Sequence, residues 1–160
     1  MLSGAVRSYI TRYGVVPGNR TVVFTNNDDA YRTALALHGA GAHVVVVDLR
    51  RDLKGELVKA IRAAGIEVMS GSAVTIAAGT QRIARVEISP VNEGATQVLD
   101  DPIHMDCDLL AMSGGLTPAV HLHSQARGKL GWDDQQLCFK PTIVHEASFN
   151  AGAGNGVFAT

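Results

Sequence analysis

The sequence predicts an α/β fold of three layers, with a central parallel sheet and an antiparallel three-stranded meander. Residues 19–70 alternate short apolar runs with amphipathic stretches in the order strand, helix, strand, helix, strand. Crossover connections of this kind make parallel sheets. From residue 73 to residue 105 the apolar period changes to two, which is typical of antiparallel strands. A hydrophobic content of 46% with only 5% aromatic residues favours the small aliphatic core of a parallel sheet.

Residues 1–18 are predicted to form a connector helix. Apolar side chains recur there at helical spacing, at Leu2, Val6, Tyr9, Ile10 and Tyr13, until Gly14 and the Pro17-Gly18 pair end the pattern. Residues 21–24 (TVVF) then read as a buried strand, residues 28–37 as a helix and residues 43–48 (HVVVVD) as a second strand. A strand, a helix and a strand that ends on an acid is the order of a nucleotide-binding βαβ unit, so the domain is predicted to be Rossmann-like.

The next predicted elements complete the sheet. Residues 52–64 form an amphipathic helix that Gly65 ends, and residues 66–70 form a third strand, with helices covering the faces of the sheet. The meander has a turn at residues 91–94, and residues 107–112 (CDLLAM) return as a strand to the centre of the sheet. Beyond residue 117 we expect a helix at 118–125, a hairpin at 132–139 and a glycine-rich end at 151–156.

The loop between the first strand and its helix lacks the glycines of a phosphate-binding turn. The pattern G-x-G-x-x-G is expected there, and residues 25–30 instead read TNNDDA. Asp28 and Asp29 would repel a phosphate that the helix dipole otherwise attracts. Two interpretations stay open: a polar helix cap, in which Asn26, Asn27 or Asp28 accepts from free N–H groups, and an altered adenosine site formed by Thr25, Asn26 and Asn27.

Other candidate ligands of a nucleotide follow the strands. Asp48 ends the second strand near the position at which an acid binds the ribose 2′-hydroxyl, although an aspartate can also simply end a strand. Arg50 and Arg51 could accept a 2′-phosphate or lie in solvent. Gly114 and Gly115 follow the last strand, where glycine permits either close approach to a nucleotide or a plain turn.

Composition excludes several classes of function. The net charge of -1 creates no field that would recruit nucleic acid or an anionic membrane, and no apolar run approaches the length of a membrane span. Cys107 and Cys138 lie far apart, which is typical of reduced thiols in a cytoplasmic protein. His121 and His123 flank one residue, but a helix would point them apart, so we expect no metal site. No catalytic residue is predicted.

Three stretches carry a resemblance to a known family. The strings MLSGAVRSYITRYGVVPG, VVFTNNDDAYRTALAL and DLLAMSGGLTPAVHLHSQ resemble the alpha subunit of heterotetrameric sarcosine oxidase. FTNNDDAYRTAL departs from the glycine pattern in the same way as that family. The strand order also resembles the second nucleotide domain of the two-dinucleotide-binding flavoprotein fold. The resemblance implies that residues 19–116 form this second domain and that residues 117–160 return toward a first dinucleotide-binding domain that is missing here.

The resemblance also implies a function. In that family the complex demethylates sarcosine oxidatively and passes the methylene group to tetrahydrofolate, with flavins in the complex and NAD on the alpha subunit. The expected partners are the remaining alpha-subunit domains and the other subunits. Met1 is then expected to be an internal start, of an excised domain or a truncated relative. The isolated chain is expected to be inactive and to bind NAD weakly or not at all.

One further departure from the pattern of the flavoprotein fold concerns the residue that usually contacts the flavin. Ala151-Gly152-Ala153 stands where the flavoprotein fold usually has A-G-D, so the acid of the usual flavin contact is absent from the sequence. Two alternatives to a supporting domain stay open: a stand-alone NAD or adenine-nucleotide binding module, and a partner-docking domain with an exposed apolar face.

Overall fold

A computed structural model describes residues 1–158, which divide into two units after Gly115. The first unit contains three helices and seven strands: α1 (Ser3–Tyr13), β1 (Arg20–Thr25), α2 (Asp29–Gly39), β2 (His43–Asp48), α3 (Glu56–Ala63), β3 (Glu67–Ser70), β4 (Ser72–Gly79), β5 (Ile83–Pro90), β6 (Ile103–Asp106) and β7 (Leu109–Ser113). The predicted α/β architecture is confirmed, with a four-stranded parallel sheet and a three-stranded antiparallel sheet.

The parallel sheet has the strand order β3-β2-β1-β7, with β1 between β2 and β7. The prediction that residues 107–112 return to the centre of the sheet is wrong, because among the described strands β7 pairs with β1 alone and lies at the edge. The run is apolar for another reason. Leu109 and Ala111 are buried, and Met1 lies along the outer side of β7, where its amino group donates to the carbonyl of Leu110 at 2.7 Å.

The two faces of the parallel sheet are covered by different layers. On one face Val23 of β1 packs into a core with α1, α2 and α3, which includes Val6, Leu37 and Ile61. On the other face Val22 packs with Val47 and with the meander residues Val86 and Ile88. The expectation of helices on the faces of the sheet therefore holds for one face only. The meander covers the other, because its period of two gives it an apolar side.

The connections explain the remaining differences in the first unit. Helix α3 begins at Glu56 rather than near residue 52, because Gly55 has a φ of 113°, which a right-handed helix does not allow. The predicted turn at 91–94 is present in the connection from β5 to β6. There the Asn92 side-chain oxygen accepts from the backbone N–H groups of Thr96 at 2.8 Å and Gln97 at 3.2 Å.

The second unit is small. It contains α4 (His121–Gln125), a hairpin of β8 (Lys129–Asp133) and β9 (Cys138–Ile143), and a short 3₁₀ helix (Gly152–Asn155). The predicted hairpin is confirmed, and the predicted helix begins at His121 rather than at residue 118. His123 is buried, with Nε2 at 2.9 Å from the Lys129 carbonyl and Nδ1 at 2.9 Å from Asn150 Nδ2.

Candidate functional site

The carboxyl ends of β1, β2 and β7 form the edge at which open α/β sheets bind ligands. The strand order reverses at β1, since β2 lies on one side and β7 on the other. The crevice outside such a reversal is the usual nucleotide site. The register places Thr25 beside Asp48 of β2 and beside Ser113 of β7. The structure therefore brings the predicted loop and the predicted ribose acid together.

The loop after β1 is held by its own hydrogen bonds. Thr25 Oγ1 accepts from the N–H of Asn27 at 3.0 Å, and Asn27 Nδ2 donates to the Ser113 carbonyl at 3.0 Å and to its hydroxyl at 3.1 Å. Asn26 Nδ2 donates to the Gly114 carbonyl at 3.3 Å. The two amide side chains thus join β1 to β7 across the crevice, in the place where a phosphate loop leaves room for a pyrophosphate.

The helix-cap interpretation of the acids is wrong for Asp28. Asp28 holds the cap position of α2 with helical angles, φ −78° and ψ −20°, and within residues 1–158 its carboxylate caps no backbone N–H of the helix. A capping side chain needs an extended backbone at that position. The carboxylate of Asp28 instead receives Arg50 Nη2 at 2.7 Å, and that of Asp29 receives Arg7 Nη1 at 2.9 Å.

Asp48, the predicted ribose acid, is fully buried and surrounded by donors. Its Oδ2 accepts from the Tyr31 hydroxyl at 2.6 Å and from Arg50 Nη2 at 2.8 Å. Its Oδ1 accepts from the backbone N–H of Arg50 at 2.8 Å and from Nε at 3.1 Å. We call Asp28, Tyr31, Asp48 and Arg50 the Arg50 network.

The electrostatics of the Arg50 network keep Arg50 charged and Tyr31 neutral. The hydrogen bond to Asp48 raises the pKa of Arg50 despite partial burial, so the guanidinium stays charged. Burial, and then the hydrogen bond to Asp48, raises the pKa of Tyr31, so the phenol stays a neutral donor. A buried carboxylate is stable only when it is paired and hydrogen-bonded, and Asp48 meets both conditions.

The Arg50 network is not predicted by the sequence pattern. Arg50 was expected to lie in solvent or to accept a 2′-phosphate, and it is instead bonded to two carboxylates. The register of the parallel strands could have indicated the network. Because Thr25 pairs with Asp48, the start of the helix after β1 lies beside the residues that follow β2. Arg51 lies outside the network, since its guanidinium donates to the carbonyl of Val91.

The two predicted glycines differ in what they require. Gly115 has a φ of 119°, which favours glycine, whereas a Cβ on Gly114 would meet no described atom within 4 Å. Between the ends of β1 and β7 lies a cavity of about 200 Å³ with apolar walls from Phe24, Leu49 and Met112. Pockets for drug-sized ligands usually measure about 300–1,000 Å³. This cavity is therefore too small for a dinucleotide.

The other cavities and side-chain clusters offer fewer groups that could bind a ligand. A larger cavity of about 720 Å³ lies beside β7, and the oxygens of Asp108 in its wall accept from the N–H groups of Asn19 and Arg20. Within residues 1–158, no group of three or more His, Cys, Asp or Glu side chains is placed to hold a metal ion, and none of the helices is long and apolar enough to cross a membrane.

The chain is similar to known proteins in sequence. No family model matches it. It is 38% identical over 160 residues to sarcosine oxidase subunit alpha of Corynebacterium sp. (strain P-1) and 36% identical over 162 residues to that of strain U-96. The same subunit of Rhizobium meliloti (strain 1021) is 34% identical over 87% of this chain. The chain spans only 16% of the length of each Corynebacterium relative.

Solved structures show the same fold at low identity. The thioredoxin reductase of T. acidophilum superposes with a TM-score of 0.59 at 16% identity, over 86% of this chain and 48% of that one. The bacillithiol disulfide reductase of Staphylococcus aureus gives a TM-score of 0.57 at 16% identity, over 80% and 38% of the two chains. The sequence relatives show that the chain matches a domain-sized segment of sarcosine oxidase subunit alpha, and the solved structures show that its fold is Rossmann-like.

Proposed function

We propose that this chain acts as the counterpart of the second dinucleotide-binding domain in a sarcosine oxidase alpha-type subunit, where it supports cofactor binding by the other domains and subunit assembly without catalysing a step itself. One observation carries the proposal. At the edge where a Rossmann-like domain would hold a nucleotide, the loop residue Asn27 bonds to Ser113 of β7, and the predicted ribose acid Asp48 bonds to Tyr31 and Arg50. The relatives with the same segment are subunits about six times as long as this chain.

The residues at the crevice do not fit a dinucleotide bound in the usual way. A pyrophosphate needs free N–H groups and a positive helix end, and here it would meet the carboxylates of Asp28 and Asp29. The amides of Asn26 and Asn27 bridge to β7, and Asp48 is already paired. We therefore assign NAD and the flavins of the parent enzyme to its other parts. The demethylation of sarcosine and the transfer of methylene to tetrahydrofolate belong to the assembled complex.

Exposed apolar side chains support a role in assembly. On one side of the hairpin in the second unit, Trp132 and Phe139 stand opposite each other, each 52% exposed, with ring centroids 5.1 Å apart. Phe149 is 99% exposed. Such side chains are typical of surfaces that pack against other protein. We propose the remaining alpha-subunit domains and the other subunits as partners. The same exposed side chains favour the second candidate function, which is a partner-docking domain.

A chimera tests the proposed function directly. The segment of the Corynebacterium strain P-1 subunit that matches this chain is replaced by residues 1–160, and the chimera is expressed with the other subunits. We expect assembly and sarcosine oxidation, whereas the chain alone shows no oxidation. The control reinserts the native segment by the same cloning route. A chimera that folds but neither assembles nor oxidises sarcosine would contradict the proposal.

Calorimetric titration of the chain with NAD separates the stand-alone module from the supporting domain. We expect no binding tighter than a Kd of about 10 μM, which corresponds to roughly 7 kcal/mol. A lower Kd would favour the stand-alone module and would overturn the assignment of NAD to other parts of the enzyme.

A further inference from the structure

Arg50 bonds to Asp48, the acid that stands where a nucleotide-binding Rossmann-like domain holds the ribose. We propose that its guanidinium is an internal substitute for the ribose of an adenine nucleotide and closes the adenosine end of the crevice. The inference rests on the proposed function, in which the domain carries no nucleotide of its own. The inference names Arg50 as the residue that keeps a nucleotide out of the crevice.

The hydrogen bonds of Asp48 account for every acceptor position. A carboxylate offers about four lone-pair positions on its two oxygens. Two donors reach Oδ1, from the backbone N–H and Nε of Arg50, and two reach Oδ2, from the Tyr31 hydroxyl and Arg50 Nη2. Three of these four donors belong to Arg50. A ribose hydroxyl could reach this acid only after the guanidinium had left.

A second acid holds the guanidinium in place. Arg50 Nη2 also donates to Asp28 Oδ1 at 2.7 Å, so one side chain joins the end of β2 to the start of α2. These are the ribose end and the phosphate end of a nucleotide site. A nucleotide would have to displace Arg50 from two carboxylates, and its pyrophosphate would then face the freed charge of Asp28. Arg50 thus excludes the nucleoside, and its release exposes a charge that opposes the phosphates.

Removal of Arg50 should reverse the exclusion for a nucleoside without phosphate. In Arg50→Ala the carboxylate of Asp48 keeps its Tyr31 partner, loses the guanidinium, and becomes free to accept from a ribose hydroxyl. Adenosine is the suitable probe because it carries no charge that Asp28 would repel. We expect adenosine to bind Arg50→Ala at least tenfold more tightly than the unsubstituted chain, and to raise the melting temperature of the variant by at least about 3 °C when ligand is in excess of Kd.

Matched variants make the experiment decisive. Arg51→Ala removes the neighbouring arginine, which contacts Val91 rather than Asp48, and should gain no adenosine binding. If Arg50→Ala fails to fold, Arg50→Gln retains much of the stem, removes the charge and the two-pronged contact with Asp48, and should show the same gain. A folded Arg50 variant without that gain would overturn the inference, as would an equal gain in Arg51→Ala. The unsubstituted chain binding NAD below about 10 μM would instead overturn the proposed function.

Discussion

The Tyr31 hydroxyl is the donor to Asp48 that does not come from Arg50. It lies on α2 and is completely buried, at 2.6 Å from the carboxylate. Tyr31→Phe leaves a buried, charged acceptor with one donor fewer, and we expect a loss of about 1–3 kcal/mol in the free energy of unfolding at pH 7. Urea denaturation measures it. Tyr13→Phe is the matched control, because Tyr13 is exposed, and should change stability by less than about 0.5 kcal/mol.

Tyr31 also makes the stability of the folded chain depend on pH, and the direction of that dependence follows from its pKa. Its pKa is raised in the folded chain, mainly by burial, above the value of about 10 for tyrosine in an unfolded chain. This contribution to stability is therefore complete below about pH 10 and is lost as pH rises toward the folded-state pKa. The free energy of unfolding, measured from pH 8 to pH 11, should fall less steeply above pH 10 in Tyr31→Phe than in the unsubstituted chain. Parallel curves would contradict the assignment.

At the scale of residues, the sequence predicted where the candidate residues lie in the fold but not their hydrogen bonds, and their role as a site stays a prediction. Thr25, Asn26, Asn27, Asp48 and Gly114 all lie at the predicted edge, because the strand, helix and strand order fixes where the carboxyl ends meet. The role of Arg50 could not be predicted from spacing alone. Its two acids are 2 and 22 residues away in the chain, and only the parallel register brings them to one side chain.

At the scale of elements, the β4–β5 hairpin depends on one glycine. A Cβ added at Gly79 would overlap the backbone carbonyl of Arg82, which cannot move without opening the turn. We expect Gly79→Ala to destabilise the first unit by about 1–3 kcal/mol, as overpacking does. Gly114→Ala is the control, since its Cβ meets no described atom within 4 Å, and it should be nearly neutral. Equal losses in thermal denaturation would contradict this reading of the turn.

The elements were predictable to different degrees, for physical reasons. Helices and strands with a clear period, such as α1, β2 and the meander, lie close to their predicted bounds. The position of β7 was not predictable, because an apolar run at a covered edge has the same pattern as a central strand. The start of α3 was missed because the positive φ of Gly55 overrides an amphipathic pattern that continues through it.

At the scale of the molecule, burial is distributed unevenly between the two units. Apart from Pro118 and Cys138, the buried apolar side chains of the described residues all lie in residues 1–115. A two-stranded hairpin with so little buried surface is marginal in water. We therefore expect a chain cut after Gly115 to keep a cooperative first unit that melts within about 5 °C of the full chain. Residues 116–160 alone should show no cooperative transition.

Spectroscopy separates the two units. Trp132 is the only tryptophan of the sequence and lies in the second unit, so its fluorescence reports that unit, whereas most of the far-ultraviolet circular dichroism arises from the first. Loss of cooperative melting in residues 1–115 would show that the first unit needs the remaining residues to fold. A cooperative transition in residues 116–160 would show that the hairpin unit is stable without a larger core.

The pairing of β1 with β7 sets the order in which this chain can fold. Thr25 and Ser113 are 88 residues apart, so β1 and β2 leave the ribosome long before the strand that closes the other side of β1. During synthesis the valines of β1 sit beside an open row of backbone donors and acceptors, the arrangement that recruits foreign strands. Pairing across so long a loop is also slow to form. The nascent chain is therefore most prone to aggregation between the synthesis of β2 and the arrival of β7.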